Sequence, residues 1–252
     1  MIAPGIKASS TSTDIERVRG DNRTRHTDLL AVEEPLEIQL VAGNRSGSAA
    51  RSIAITMRTP GDDTDLALGF LLSESIIQHR ADVESVTHVG PRDGGNNLQN
   101  TIRVELNPDV SVDLTRLERH FYTTSSCGVC GKASLDALRI VAQPRQSDNF
   151  RIGQRQLIAL PGRLRDQQPV FRETGGLHAA AAFDASGELR VVREDVGRHT
   201  AVDKVIGALF AEGALPSDNL GIVVSGRASF ELMQKTLVAG MTMLVAVSAP
   251  SS

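Results

Sequence analysis

The 252-residue chain has no Trp, one Tyr and seven Phe, so aromatics make up only 3% of it. Single-stranded nucleic acid is held largely by stacking bases on aromatic rings, and a sequence this poor in them excludes such a platform. An excess of positive charge is also missing. The 27 basic and 30 acidic residues leave a net charge of −3, with no field to gather nucleic acid or anionic lipid. No apolar run has the length of a membrane span. The N-terminus lacks the apolar stretch of a secretory signal, since polar Ser9–Asp14 is followed by Arg17, Arg19, Arg23 and Arg25. The expected location is therefore the cytoplasm. Two phosphate-binding signatures, GxxxxGK[ST] and GxGxxG, are absent, so neither a Walker loop nor a Rossmann dinucleotide site is supported.

What is present begins with organisation. Residues 1–27 are rich in Ser, Thr, Arg and Asp without apolar periodicity, and read as a disordered tail. Leu36, Ile38 and Leu40 alternate with polar residues, and Ile53, Ile55 and Met57 repeat the pattern, which predicts a hairpin. Pro60-Gly61-Asp62-Asp63 stops it, and the apolar residues of Thr64–Ile77 nearly encircle a predicted core helix. Strands are expected at Val83–Val89 and Thr101–Leu106, so residues 28–140 read as an N-terminal α+β subdomain.

The rhythm then changes. A weak helix at Ile152–Arg165 precedes a hairpin, His178–Phe183 and Leu189–Val192, around the turn Asp184-Ala185-Ser186-Gly187. Val202, Val205, Ile206 and Leu209 mark an amphipathic helix. A buried strand Leu220–Val224, a helix Ser229–Ala239 with Ser229 as N-cap and a last strand Met243–Val247 follow. Strand–helix–strand with short connections implies parallel pairing and a three-layer α/β subdomain over 141–252. The fold class is therefore α/β. The chain stops just past the last strand, so a closing element is expected to be missing.

Two constellations carry chemistry. The first is Cys127-Gly128-Val129-Cys130, in a small, polar, Gly-containing loop that precedes Lys132 and a helix starting near Ser134. A disulfide closing so short a loop removes little chain entropy, and in a reducing compartment such a pair is more often catalytic or metal-binding. A thiol ahead of a helix N-terminus sits in positive potential, which favours the nucleophilic thiolate. The same pair could be half of a zinc site, which needs two further ligands; the six His residues show no HxxxH spacing to supply them. Two buried small residues in a turn is the bland alternative.

The second constellation is a set of three polar loops in the α/β half. They are Glu173-Thr174-Gly175-Gly176-Leu177-His178, then Arg193-Glu194-Asp195-Val196-Gly197-Arg198-His199-Thr200 running into Asp203 and Lys204, and Ser225-Gly226-Arg227-Ala228-Ser229. A strand end, a Gly and a helix N-terminus together offer free N–H groups to an anion, and Arg227 could add a bidentate contact. Taken singly, each loop reads equally well as an ordinary capped turn with surface charges. His199 and Asp203, four apart, share a helix face. Together the loops favour a pocket for an anionic or phosphorylated ligand, with Gly176, His178, Asp195, Arg198, His199, Asp203, Lys204, Ser225, Gly226 and Arg227 as its candidate residues.

These stretches, with Gly69-Phe70-Leu71-Leu72-Ser73-Glu74 and Ser248-Ala249-Pro250-Ser251-Ser252, resemble the formate dehydrogenase accessory sulfurtransferases, the FdhD family, in order along most of the chain. The resemblance implies a sulfur carrier. A cysteine desulfurase would load a persulfide, and the sulfur would pass to the molybdenum cofactor, a bis(molybdopterin guanine dinucleotide), for formate dehydrogenase. By position Cys127 matches the persulfide-carrying cysteine and Cys130 the second one, and a homodimer is compatible with the family. The second half is implied to be similar to cytidine deaminases. The deaminase HxE…PCxxC signature is absent, however, since Ala180 lies two residues after His178. The family usually continues past the Ser-Ala-Pro-Ser-Ser loop into a tail implicated in cofactor binding. Two other classes stay open at this point: a zinc-stabilised binding module and a non-catalytic cofactor chaperone.

Overall fold

In the computed structural model, residues 9–42, 49–90, 100–110, 112 and 150–250 are described. The cysteine pair and the expected subdomain boundary at 140/141 lie outside them. The fold is α/β, with three sheets among the described residues.

The first sheet is a correction. Strands β1 (Ser10–Arg19) and β2 (Asn22–Ala31) form an antiparallel hairpin where a tail was expected. The two-residue turn Gly20-Asp21 closes it, with Gly20 at φ 58°, a conformation open to glycine. Its ladder is supported by cross-strand polar pairs, Thr27 Oγ1 donating to Asp14 at 3.0 Å and Arg23 lying 3.3 Å from Glu16. Apolar alternation is absent because the ribbon is exposed along nearly its whole length.

The second sheet has the order β4-β3-β6-β5, from β3 (Glu34–Val41), β4 (Arg51–Arg58), β5 (Val83–Val89) and β6 (Thr101–Leu106). The predicted β3–β4 hairpin is present, but its second strand faces otherwise than expected. A bulge between Ile38 and Gln39 shifts the register, so Ile53 and Arg58 are buried while Ile55 and Met57 are exposed. Helix α1 (Asp63–Ser73) covers the inner face. It ends four residues before the predicted Ile77, in a Schellman closure. Ser75 takes φ 59°, its N–H donates to Leu72 O at 2.9 Å, and that of Ile76 to Leu71 O at 2.9 Å. Ile76 and Ile77 stay buried without being helical, which is why the apolar run read as longer.

The third sheet has the order β10-β9-β7-β8, from β7 (His178–Phe183), β8 (Leu189–Asp195), β9 (Gly221–Arg227) and β10 (Leu244–Ser248). Strands β9 and β10 are parallel as expected, while β7 pairs antiparallel with both neighbours. Helix α2 (Gln154–Asp166) lies on one face with Phe150, Ala181, Phe183 and Val223. A short helix α3 (Pro169–Thr174) leads into β7 where a loop was expected; Gly175, at φ 69°, caps it. Helices α4 (Arg198–Ala211) and α5 (Phe230–Val238) follow β8 and β9, and α4 packs with α1 against the other face. One continuous apolar cluster runs from Leu36 and Ile102 through Leu71 and Val205 to Ile222 and Leu232, joining the second and third sheets. Among the described residues no helix is long and apolar enough to cross a membrane.

The predicted amphipathic helix is a further correction. In α4 every residue from Thr200 to Phe210 is buried, including Asp203 and Lys204. Its polar positions face the protein rather than solvent, Asp203 toward α1 and the Phe230–Val238 helix, Thr200 and Lys204 toward Asp195, and α1 crosses it at touching distance. A Cβ on Gly69 would land on the Asp203 carbonyl oxygen, and one on Gly207 on the Asp65 carbonyl oxygen.

Candidate functional site

Strand pairing brings the three polar loops to one edge of the third sheet. His178, the first residue of β7, lies opposite Asp195, the last of β8, and Arg227, at the end of β9, opposite Ser248, at the end of β10. Helices α4 and α5 both begin there, so two N-termini and the C-terminal ends of two parallel strands converge. That is where α/β sheets usually present ligands.

A bulge in β9 shapes the edge, since Ala246 faces Val224 and Ser248 faces Arg227. Inside it Ser225 replaces a rung of the ladder: its Oγ accepts from the Ala179 N–H at 2.9 Å and lies 3.4 Å from His178 Nδ1. Gly226 is buried against its neighbours; a Cβ there would lie 3.5 Å from Arg198 Cδ and 3.7 Å from His178 Nδ1. His178, Arg198, Ser225 and Gly226 thus form one group, and exposed Arg227 borders it. Burial, and then the Arg198 charge, hold His178 below the ordinary histidine range, with Asp195 pulling weakly the other way. A neutral ring beside the Arg198 guanidinium, with exposed Arg227 at the strand end, leaves the edge cationic without a third charge to desolvate. Gly176 lies just before this group, its N–H on Thr174 Oγ1 at 3.2 Å.

The remaining candidates sit behind the edge. Asp195 is fully buried; it accepts from Gly197 N at 2.9 Å, Thr200 Oγ1 at 2.6 Å and Thr59 N at 3.2 Å, and pairs with Lys204 Nζ at 2.8 Å. Lys204 also donates to Thr59 O at 2.8 Å. Asp203 accepts from Lys235 at 2.8 and 2.9 Å and from Ser73 at 3.0 Å. Burial pushes its carboxyl up to about 6 against the lowering pull of Lys235. Burial alone would lower Lys235, but Asp203, Glu231 and Glu74 outweigh it and hold the ammonium above the ordinary lysine value. His199 Nε2 comes within 3.3 Å of Glu231 Oε2, but neither atom makes a hydrogen bond among the described residues. Burial, then the charges of Lys235, Arg198 and His178, bring His199 down to about 3, so it is neutral. Asp195, Asp203 and Lys204, read from sequence as ligand contacts, therefore spend their polar atoms inside the protein.

Thr59, Glu231 and Lys235 went unread in the sequence, and Ser73 was read only within the Gly69–Glu74 stretch. The i,i+4 spacing of Glu231 and Lys235 was the one signal that α5 carries a charged face. Thr59 had no signal, because it joins Asp195 and Lys204 through its backbone from 136 and 145 residues away. Its position is fixed by Arg58, buried and forked onto Asp63 at 2.9 and 3.0 Å, with His88 3.0 Å from the same carboxylate. Burial raises the Asp63 carboxyl, but His88 and Arg58 override it and take it down to about 2. A separate cleft of about 340 Å³ opens beside Thr59, Asp62, Val170, Leu177 and Arg193. Among the described residues no group of three His, Cys, Asp or Glu is placed to hold a metal.

The fold and this edge define an α/β protein with a cationic strand-end site backed by buried ion pairs. A profile of the FdhD/NarQ family matches residues 31–252, and the chain belongs to that family. It is 52% identical over 227 residues to the sulfur carrier protein FdhD of Mycolicibacterium paratuberculosis, covering 89% of this chain and 80% of that one. It is 48% identical over 239 residues to that of Streptomyces coelicolor, covering 94% and 82%. With the one from Saccharolobus solfataricus the identity is 39% over 239 residues, covering 95% and 84%. The fold matches the crystal structure of a chain described as a formate dehydrogenase accessory protein from Desulfotalea psychrophila. The TM-score is 0.72 at 22% identity, over 97% of this chain and 86% of that one.

Proposed function

We propose that this protein is a cytoplasmic sulfur carrier that takes sulfur from a cysteine desulfurase onto Cys127 and delivers it to the molybdenum cofactor destined for formate dehydrogenase. The observation that carries the reading is the cationic edge of His178, Arg198, Ser225 and Arg227, in a chain whose relatives are named sulfur carriers. The cofactor is the substrate here. Its guanine dinucleotide tails carry diphosphates, and two guanidinium groups with two helix N-termini match that charge. Gly176 and His199 border the contact residues, while Asp195, Asp203 and Lys204 hold the loops in place. Formate dehydrogenase and the desulfurase are the protein partners, and a homodimer is compatible with this reading.

The chemistry balances with the two thiols alone. The Cys127 thiolate attacks the sulfane sulfur of the desulfurase persulfide; an S–S bond forms on Cys127 and the desulfurase thiolate leaves. Once the cofactor is bound to accept the sulfur, the Cys130 thiolate attacks Cys127 Sγ, a Cys127–Cys130 disulfide forms, and the outer sulfur departs as hydrosulfide toward the metal centre. The two thiols are oxidised and the sulfane sulfur is reduced. Incubation with a desulfurase and cysteine should add one sulfur to the intact mass, and Cys127→Ala should abolish the adduct. A wild-type protein that gains no sulfur, or a Cys127→Ala variant that still does, overturns the proposal.

A further inference from the structure

Helix α5 forms one wall of the cationic edge, yet little apolar surface holds its first turns. Of its nine residues only Leu232, Lys235 and Thr236 are buried. Thr236 spends its hydroxyl on Leu232 O within the helix, at 2.7 Å. Phe230, Met233 and Leu237 face outward. The C-terminal end is fixed by buried Ala239 and Met241 just past the helix, whereas the N-terminal end, beside the site, begins at exposed Phe230. Besides buried Leu232, what ties that end down is charge. Lys235 Nζ lies 2.8 Å from Asp203 of α4 and 3.6 Å from Glu231 one turn earlier, and Ser73 of α1 completes the Asp203 carboxylate at 3.0 Å. Glu231 Oε2 lies 3.3 Å from the neutral ring of His199, in the first turn of α4, without a hydrogen bond between them. Two i,i+4 pairs, His199/Asp203 and Glu231/Lys235, therefore face each other across the two helices.

We infer that Lys235 is a positioning residue for the site: its pair with Asp203 clamps α5 to α4, Glu231 links that pair to the first turn of α5, and the Ser225–Ser229 loop is so held against Arg198 and His178. This rests on reading the edge as the cofactor-facing one. Ligands feel such a clamp because Gly226 sits where even an added Cβ would come within 3.5 Å of Arg198 Cδ and 3.7 Å of His178 Nδ1; a loop shift of an ångström separates the groups that must converge on one diphosphate.

The probe is GDP, the nucleotide part of the proposed substrate, titrated into wild type, Lys235→Met and Lys235→Gln. Met preserves the apolar stem, and Asp203, whose carboxyl already stands near 6, can take a proton rather than remain a bare buried charge. Gln is the milder cut, keeping a donor for Asp203 without the charge or the reach. Three readouts are taken together: GDP affinity, the rate of persulfide loading by a desulfurase, and amide exchange across residues 226–232 and α4. The clamp predicts that Met weakens GDP binding about tenfold and speeds exchange at 226–232, with Gln intermediate, while persulfide loading and protection of α4 hold. Loading, binding and α4 protection falling together would mean a general loss of fold and overturn it, as would unchanged affinity or unchanged exchange at 226–232 in a folded variant. A wild type that does not bind GDP overturns the reading of the edge instead, and exchange at 226–232 still decides the clamp.

Discussion

The two helices that open onto the cationic edge are built in opposite ways. Helix α4 is enclosed: from Thr200 to Phe210 it has no exposed residue, wedged between the third sheet and α1. Helix α5 rests on Leu232 and an ion pair, with an apolar stripe of Phe230, Met233 and Leu237 turned outward. Burial of several apolar side chains fixes a helix through many small contacts that cannot be lost singly. A helix held by one buried charge pair depends on a single geometry, and removal of one partner is costly. The edge thus has a fixed wall bearing Arg198 and His199, and a second wall, bearing Ser229 and following Arg227, whose place is set by electrostatics.

The hardest blow to the fixed wall is at its crossing with α1. Gly69→Ala or Gly207→Ala places a methyl on the opposing backbone, where no side chain can yield. Each should cost about 3 kcal/mol or more and lower the denaturant midpoint steeply, or leave no folded protein. Retention of wild-type stability in both would show that the two helices are not locked together, and the contrast with α5 would lose its basis.

A smaller effect falls where the walls meet. His199 is held at about 3, well under its ordinary 6.5. The sign follows from linkage. The unfolded chain takes up a proton near pH 6.5 and the folded one does not, so stability present above pH 6.5 is lost as pH falls toward 3. Between pH 7 and pH 5 the loss from this residue is about 2 kcal/mol. Urea titrations at the two pH values should show it, and His199→Gln should remove most of that slope. An equal slope in the variant would mean that the ring is charged on Glu231 in the native protein.

These contrasts bear on how much the sequence discloses. Periodicity located the four strands of the third sheet and helices α2, α4 and α5 to within a few residues, because strands such as Leu189–Asp195 are short and bounded by turn residues. The edge was legible as three Gly-containing polar loops, since strand ends and helix starts share that composition wherever they converge. Roles within the loops were not legible. Asp195 and Lys204 look like ligand contacts because they are charged and lie near glycines, but their partner is the backbone of Thr59, and only the fold brings it there. Hairpin β1–β2 was missed for the complementary reason: a ribbon exposed on both faces has no apolar period to detect, and its stabilising pairs, such as Asp14 with Thr27, span thirteen residues. Residues that bury surface advertise themselves through pattern, whereas residues that satisfy buried charge do so only through tertiary contact.

The mildest test concerns the outer face of α5. If that helix is held by Leu232 and Lys235, its exposed stripe contributes nothing to its place. Phe230→Ser and Met233→Ser, each more than half exposed, should change stability by no more than about 0.5 kcal/mol. Leu232→Ala, fully buried on the same helix, should cost about 2–5 kcal/mol. Thermal unfolding of the three variants side by side makes the comparison. A Phe230→Ser variant that unfolds as readily as Leu232→Ala would show that the stripe is covered in solution, and α5 would then be a buried wall like α4 rather than an ion-clamped one.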